Sequence, residues 1–73
     1  MIGRVYTWRG EHWVVLTRWR GAGPRNVLLE RVEPCDPPTS AEETGAHVEA
    51  DGRWYRRTGD TVVRPFRGLR KPS

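Results

Sequence analysis

An aromatic residue followed by arginine and glycine occurs three times in the sequence, at Trp8-Arg9-Gly10, Trp19-Arg20-Gly21 and Phe66-Arg67-Gly68. An arginine guanidinium can contact phosphate, and an exposed ring offers a surface on which a nucleic-acid base can stack. In a second interpretation each ring lies in the core, and the arginine is merely exposed beside a turn glycine. The two interpretations are compatible, and the pattern alone does not choose between them.

The segment 19–26 is the best candidate for a contact loop. Its glycines bring the backbone close to a partner, and its arginines and asparagine supply donors to phosphates or base edges. Basic residues near the end of the sequence extend this group. The predicted nucleic-acid-binding residues are Arg18, Trp19, Arg20, Arg25, Asn26, Arg67, Arg70 and Lys71. The competing interpretation is a plain connection between strands, with a solvated basic group at residues 67–71.

Charge is distributed unevenly along the chain, whose net charge is +4. Residues 1–33 and 53–73 are basic, whereas residues 34–52 contain five acids and no base. A basic excess favours polyanionic partners such as nucleic acid or an acidic protein surface. All the bases but one are arginine, which suits planar, stacking recognition but equally fits the codon usage of a GC-rich genome.

The sequence has too few catalytic and metal-binding residues for an enzyme or a metal site. His12 and His47 are the only imidazoles and Cys35 is the only cysteine, so we expect no four-ligand zinc site. Ser40 and its acidic neighbours lie in a proline-rich segment that is a poor place to hold a nucleophile or an acid–base pair. We therefore expect no catalytic residue, no metal and no cofactor.

The length and composition favour one small β domain. Seventy-three residues suffice for a single core, and valine, leucine and tryptophan dominate its apolar residues, as is typical of pleated sheets. One cysteine cannot form an internal disulfide, which favours a reducing compartment. Apolar runs are short, and Met1 is followed by Ile2-Gly3-Arg4, so we expect a soluble, untargeted, cytoplasmic protein without membrane contact.

Alternation of residue types predicts strands at about 3–8, 12–20, 26–33, 53–57 and 61–65. Arg9-Gly10 permits a tight reversal between the first two strands, and Asp51-Gly52 permits one between the weakly alternating residues 46–50 and the fourth strand. The second strand is apolar on both faces in its middle, as in a small barrel or at a sheet bend. Because no stretch carries the apolar stripe of an amphipathic helix, the sequence predicts an all-β domain over residues 1–73.

Two further segments join or end the strands. Residues 34–45 contain three prolines, three acids and no large apolar residue, which is typical of a mobile loop. Near the end, Pro65 is expected to terminate a strand. Phe66-Arg67-Gly68-Leu69 is too short for a stable α-helix but long enough for one 3₁₀ turn.

The closing residues 62–72 resemble those of SH3-like small β-barrels, in which a strand runs into a 3₁₀ turn and a short last strand seals the barrel. With the hairpin at 3–20 and the strand at 26–33, the resemblance covers most of the chain outside the loop at 34–45. It implies a five-stranded barrel that binds through its loops and an edge. The peptide-binding SH3 specificity loop and the Tudor aromatic cage have no counterparts here. The Trp-Arg-Gly hairpin and the Pro24-Arg25-Asn26-Val27-Leu28 strand are also similar to short proteins of actinobacteria and their phages.

Two functional hypotheses follow. The first is a non-enzymatic module that contacts nucleic acid through its backbone phosphates. The second is a protein-interaction module, such as a phage-type accessory protein that docks on a larger assembly through a sheet edge or an exposed tryptophan. One continuous basic face favours the first, whereas arginines paired with Glu30, Glu33 and Glu49 around an exposed tryptophan favour the second. Self-association through edge strands is compatible with either.

Overall fold

The computed structural model describes residues 3–21, 25–40 and 45–71. In these ranges five antiparallel strands form one sheet, and a single 3₁₀ turn follows the last strand. The elements are β1 (Val5–Trp8), β2 (Glu11–Trp19), β3 (Asn26–Cys35), β4 (His47–Ala50), β5 (Arg53–Pro65) and the 3₁₀ turn (Phe66–Gly68). The strands lie in the order β1-β2-β3-β5-β4 across the sheet. The predicted all-β class is confirmed.

Two-residue turns join β1 to β2 and β4 to β5. Arg9 and Gly10 have φ angles of 54° and 78°, and Asp51 and Gly52 have φ angles of 53° and 78°. Positive φ at both central residues defines the type I′ turn, whose twist matches that of the strands it joins. Glycine at the second position adopts this conformation without steric cost. Both predicted reversals are confirmed.

β5 is one bent strand where the sequence predicted two. Residues 58–60 of β5 lie opposite Arg31 of β3 alone, which makes a bulge in the ladder. Gly59 takes a φ of 90° within this bulge, and the Thr58 hydroxyl donates a hydrogen bond of 2.7 Å to the carbonyl oxygen of Arg31. The predicted break at 58–60 is therefore a bulge, which bends a strand and increases its twist without ending it.

The boundaries near the predicted loop also differ from expectation. β3 continues through Pro34 and Cys35, which pair with Tyr55 and Trp54 of β5, so the predicted loop at 34–45 begins only after Cys35. β4 forms a strand despite weak alternation because it pairs with β5. Part of this loop, 41–44, and part of the predicted connection after Gly21, 22–24, lie outside the described residues.

Apolar side chains pack on both faces of the sheet. The first cluster comprises Tyr6, Trp13, Val15, Val27 and Leu29, with Trp8, Val62, Phe66 and Leu69 packed against it. The second cluster comprises Val5, Val14, Val32 and Tyr55, with Leu16, Val48 and Ala50 packed against it. Successive residues of a strand point to opposite faces, so Val14 and Val15 of β2 enter different clusters. This accounts for the apolar character of both faces of β2.

The segment after β5 returns to β1. Arg70 and Thr7 exchange two backbone hydrogen bonds of 2.7 and 3.1 Å, which form an isolated bridge. The ring of Phe66 meets the ring of Tyr6 edge-on, with centroids 5.3 Å apart, and holds the 3₁₀ turn over the first cluster. The predicted 3₁₀ turn is confirmed. The sheet itself is not closed, so the predicted barrel is not confirmed.

Candidate nucleic-acid interface

The ends of three strands meet at one end of the sheet. Trp19, the last residue of β2, pairs with Asn26, the first residue of β3, and Asn26 also pairs with Pro65, the last residue of β5. The amide of Phe66 donates a hydrogen bond of 2.9 Å to the carbonyl oxygen of Arg25. Six of the eight predicted binding residues belong to this region, which we call the basic end: Arg18, Trp19, Arg20, Arg25, Asn26 and Arg67.

The other two predicted residues lie beside β1. Arg70 forms its backbone bridge with Thr7, whose hydroxyl also donates a hydrogen bond of 3.3 Å to the Arg70 carbonyl oxygen. Arg70 and Lys71 are both exposed. Because the 3₁₀ turn separates them from Pro65 at the basic end, the predicted set divides into a main group and a smaller group along the sheet edge.

The arginines of the basic end are exposed, and within the described ranges none of them forms an ion pair with an acid. The first acid along β3 is Glu30, four residues beyond Asn26, or about 13 Å along an extended strand. Its carboxylate is already bonded to Arg57. The positive charge of the basic end is therefore not neutralised by neighbouring carboxylates on its own strands.

Ion pairs link β2, β3 and β5 elsewhere in the sheet. The guanidinium of Arg31 lies 3.1 Å from Asp60, 3.3 Å from Glu33 and 3.4 Å from Glu11. Its hydrogen bond to Asp60, helped by the charges of Glu11 and Glu33, raises the pKa of Arg31. Arg56 lies 2.8 Å from the second carboxylate oxygen of Glu33. Acids and their arginine partners thus gather away from the basic end.

Glu30 is the one buried charged residue of the described chain, with 4% of its surface exposed. Arg57 Nε and Nη2 lie 2.8 and 2.7 Å from Glu30 Oε1, and the amide of Gly59 donates a hydrogen bond of 2.9 Å to Oε2. Both carboxylate oxygens are therefore satisfied, as burial of a charge requires. This pair fastens β5 to β3 beside the bulge.

Trp19 is the one large hydrophobic side chain classed as exposed in the described residues, with 42% of its surface accessible. A Cβ placed on Gly21 would lie 3.3 Å from the indole Nε1, so glycine allows the ring to lie close to the backbone there. In the two other aromatic-Arg-Gly tripeptides, Trp8 and Phe66 are partly buried against the first cluster. The exposed-ring interpretation therefore applies to Trp19, and the core interpretation applies to Trp8 and Phe66.

The indole of Trp8 is itself held by neighbours. Its ring meets the ring of Trp13 edge-on at a centroid distance of 5.6 Å. The guanidinium carbons of Arg9 and Arg64 lie 4.8 and 4.9 Å from the ring centroid, within the range of a cation–π contact. Arg64 was not among the predicted site residues, since only the pairing of β5 with β3 brings it towards Trp8.

One face of the sheet near the basic end carries apolar side chains that sequence analysis did not single out. Directly paired residues share a face of the sheet, so Trp19 and Pro65 lie on the same face as Asn26, with which both pair. Leu28 lies two residues further along β3, on that same face, and pairs with Val63. Leu28 and Val63 are partly buried and are members of neither core cluster of the described chain. We call Trp19, Leu28, Val63 and Pro65 the Trp19 face.

An open cavity of about 290 Å³ lies near the opposite end of β3. Its lining includes His12, Cys35, Trp54 and Tyr55, together with Pro34 and Pro37. The ring centroids of His12 and Tyr55 are 5.5 Å apart, and His12 is partly buried. This concavity was not predicted, because its lining combines residues of β2, β3 and β5 that are distant in sequence.

The described ranges contain no group of three His, Cys, Asp or Glu side chains arranged to hold a metal ion. No helix in the same ranges is long and apolar enough to cross a membrane. Comparison with protein-family models, with curated proteins and with solved structures finds no match to this chain.

Proposed function

We propose that the protein is a non-enzymatic binding module that contacts nucleic acid through backbone phosphates. The observation that supports this function is the segregation of charge. Arginines of the basic end have no acidic partner in the described chain, whereas Arg31, Arg56 and Arg57 are each paired with carboxylates. Unpaired arginines can bind phosphate without first breaking an internal ion pair.

The geometry of the basic end suits phosphate contacts. Arg20 and Arg25 lie just outside β2 and β3, and Arg67 lies in the 3₁₀ turn after β5. They flank the paired ends of the three strands, and their guanidinium groups are exposed. A planar guanidinium can donate two parallel hydrogen bonds to phosphate, and several together release the counterions of a polyanion. Arg70 and Lys71 offer a second, smaller group of contacts beside β1.

Titration with labelled DNA and RNA oligonucleotides tests this function. We expect binding at about 50 mM salt, and log K should fall linearly with log salt concentration up to about 200 mM. The slope reports the number of phosphates contacted. Absence of binding at the lowest salt concentration would contradict the proposal, as would affinity that does not depend on salt.

The SH3-like architecture and a cytoplasmic location belong to the same proposal. The 3₁₀ turn and the bridge between Thr7 and Arg70 occupy the place of the sealing segment in such barrels, which supports the resemblance. The single cysteine supports a reducing compartment. An origin in actinobacteria or their phages stays a prediction.

A protein-interaction module is the second candidate. The pairing of Arg57 with Glu30 and of Arg31 and Arg56 with Glu33 supports it, although these pairs lie away from the exposed Trp19. A different region supports it as well. β4 is the terminal strand of the sheet order, and edge strands can pair with another chain or with a second copy. The cavity beside Trp54 and Tyr55 is aromatic and proline-lined. Affinity capture from a native cell extract, with and without nuclease, separates the candidates: a partner retained after nuclease treatment favours this second function.

A further inference from the structure

We propose that the Trp19 face makes the basic end selective for single-stranded nucleic acid, with a base stacked on the indole of Trp19. This inference rests on the proposed function and specifies its ligand class. Single-stranded DNA and RNA share the chemistry invoked, which is an exposed base plane joined to a phosphate backbone.

The position of Trp19 supports stacking. The ring ends β2 and is exposed, yet it lies on the same face as the partly buried Leu28 and Val63. Leu28 follows Asn26 by two residues, which places it diagonally from Trp19 at about 7–8 Å between backbones. A base on the indole therefore has an apolar surface beside it. Bases of a duplex are stacked on one another and do not present their planes to such a surface, whereas unpaired bases do.

The charges around this face complement the backbone of the strand. Arg20 directly follows Trp19, and Arg25 directly precedes Asn26, the residue that pairs with Trp19. Neither arginine has an acidic partner in the part of the chain that the structure describes. Arg20 and Arg25 thus adjoin Trp19 along the two paired strand ends, and both side chains are exposed to the phosphate backbone of a bound strand. An acidic protein surface would satisfy the arginines but would leave the indole without a planar partner.

Other aromatic rings are less suited to this role. Trp8 is partly buried, with two guanidiniums against its ring and Trp13 at its edge. Phe66 is packed against Tyr6. Trp54 is partly buried beside the cavity near the far end of β3. Trp19 therefore combines exposure with neighbouring unpaired arginines.

The experiment compares a single-stranded oligonucleotide with a hairpin duplex of the same phosphate number, in DNA and in RNA, at several salt concentrations between about 50 and 200 mM. The intact protein should bind the single strand more tightly. Trp19→Ala should weaken single-strand binding by about 5- to 150-fold, the range for loss of one base–aromatic stack. Trp19→Phe should recover most of the affinity because it restores a ring. Neither change should alter the salt slope, since tryptophan carries no charge.

Trp54→Phe is the matched control, because it alters a tryptophan away from the basic end and should leave single-strand affinity unchanged. Thermal unfolding checks that each variant is folded. Equal binding of duplex and single strand, or Trp19→Ala affinity equal to that of the intact protein, would overturn the single-strand inference while leaving phosphate binding in place. Absence of binding to all four nucleic acids would overturn the proposed function as well.

Discussion

Arg57 Nη2 lies 2.7 Å from Oε1 of Glu30, and this pair joins the middle of β3 to β5 across a bulge. Glu30 is buried, whereas the Arg57 side chain is 42% exposed, so the arginine closes over the carboxylate from the solvent side. The amide of Gly59 satisfies the other carboxylate oxygen. The bulge and the buried acid thus depend on each other.

Arg57→Ala should destabilise the fold by about 1–3 kcal/mol, because it leaves a buried carboxylate with only the Gly59 amide as its partner. The effect is smaller than for a fully buried pair since water can reach the vacated site. Urea unfolding measures it. Arg56→Ala is the matched control: its partner Glu33 is exposed, so the loss should stay within about 1 kcal/mol. Equal losses in the two variants would contradict a special role for Glu30.

Gly59→Ala should destabilise the protein by about 1–2 kcal/mol. Gly59 has a φ of 90°, which a residue with a Cβ adopts only with strain, although no atom lies within 4 Å of the added methyl group. Gly68→Ala is the control, since the space there is equally open and its φ is not in this region. Gly68→Ala should leave the free energy of unfolding nearly unchanged. Thermal or urea unfolding of both variants checks the difference, and a neutral Gly59→Ala would refute the strain argument.

Phe66→Ala should release the segment that returns to β1. Removal of a partly buried ring from its contact with Tyr6 should cost about 1–3 kcal/mol. Amide hydrogen exchange should accelerate at Thr7 and Arg70, which exchange the bridging hydrogen bonds, more than at Leu29 in the sheet centre. Uniform acceleration at all three sites would mean that the segment does not open independently.

The exposed Arg67 beside this ring provides the control for stability. Arg67→Ala should change the free energy of unfolding by less than about 0.5 kcal/mol, because its side chain has no ion pair in the described ranges.

Removal of charge at the basic end should change the salt dependence of nucleic-acid binding. Arg20→Ala and Arg67→Ala should each weaken binding to all nucleic-acid sequences. Each should also make the plot of log K against log salt concentration less steep, by about 1 in the slope. Arg56→Ala removes the same charge from a residue that is already paired with Glu33. If Arg56→Ala lowers the slope as much as the other two variants do, only net charge matters and the basic end is not a specific surface.

Local sequence features determined much of the fold. The dipeptides Arg9-Gly10 and Asp51-Gly52 identified both type I′ turns, because a turn of two residues depends on backbone freedom at those residues alone. Alternation identified β1, β2 and β3 to within two residues at each end. The prediction separated β5 into two strands since a Thr-Gly-Asp sequence serves equally for a turn and for a bulge.

Local sequence features predicted only part of the candidate site. The sequence identified Arg18, Trp19, Arg20 and Arg25 as one group because they are close along the chain. That Arg67 belongs with them, and Arg70 does not, depends on the pairing of Asn26 with Pro65.

The sequence by itself determined that this protein is an all-β chain, rich in arginine, with Trp8 and Trp19 each beside a glycine-containing connection. Tertiary structure alone decided which arginines are neutralised and which ring is exposed. Glu30 and Arg57 are 27 residues apart in the sequence. Trp19 and Pro65 lie near each other because both pair with Asn26 of β3. Strand order and register determine which residues become partners. Burial of an entire apolar face of each strand sets the order and register, and the identity of residues adjacent in sequence does not.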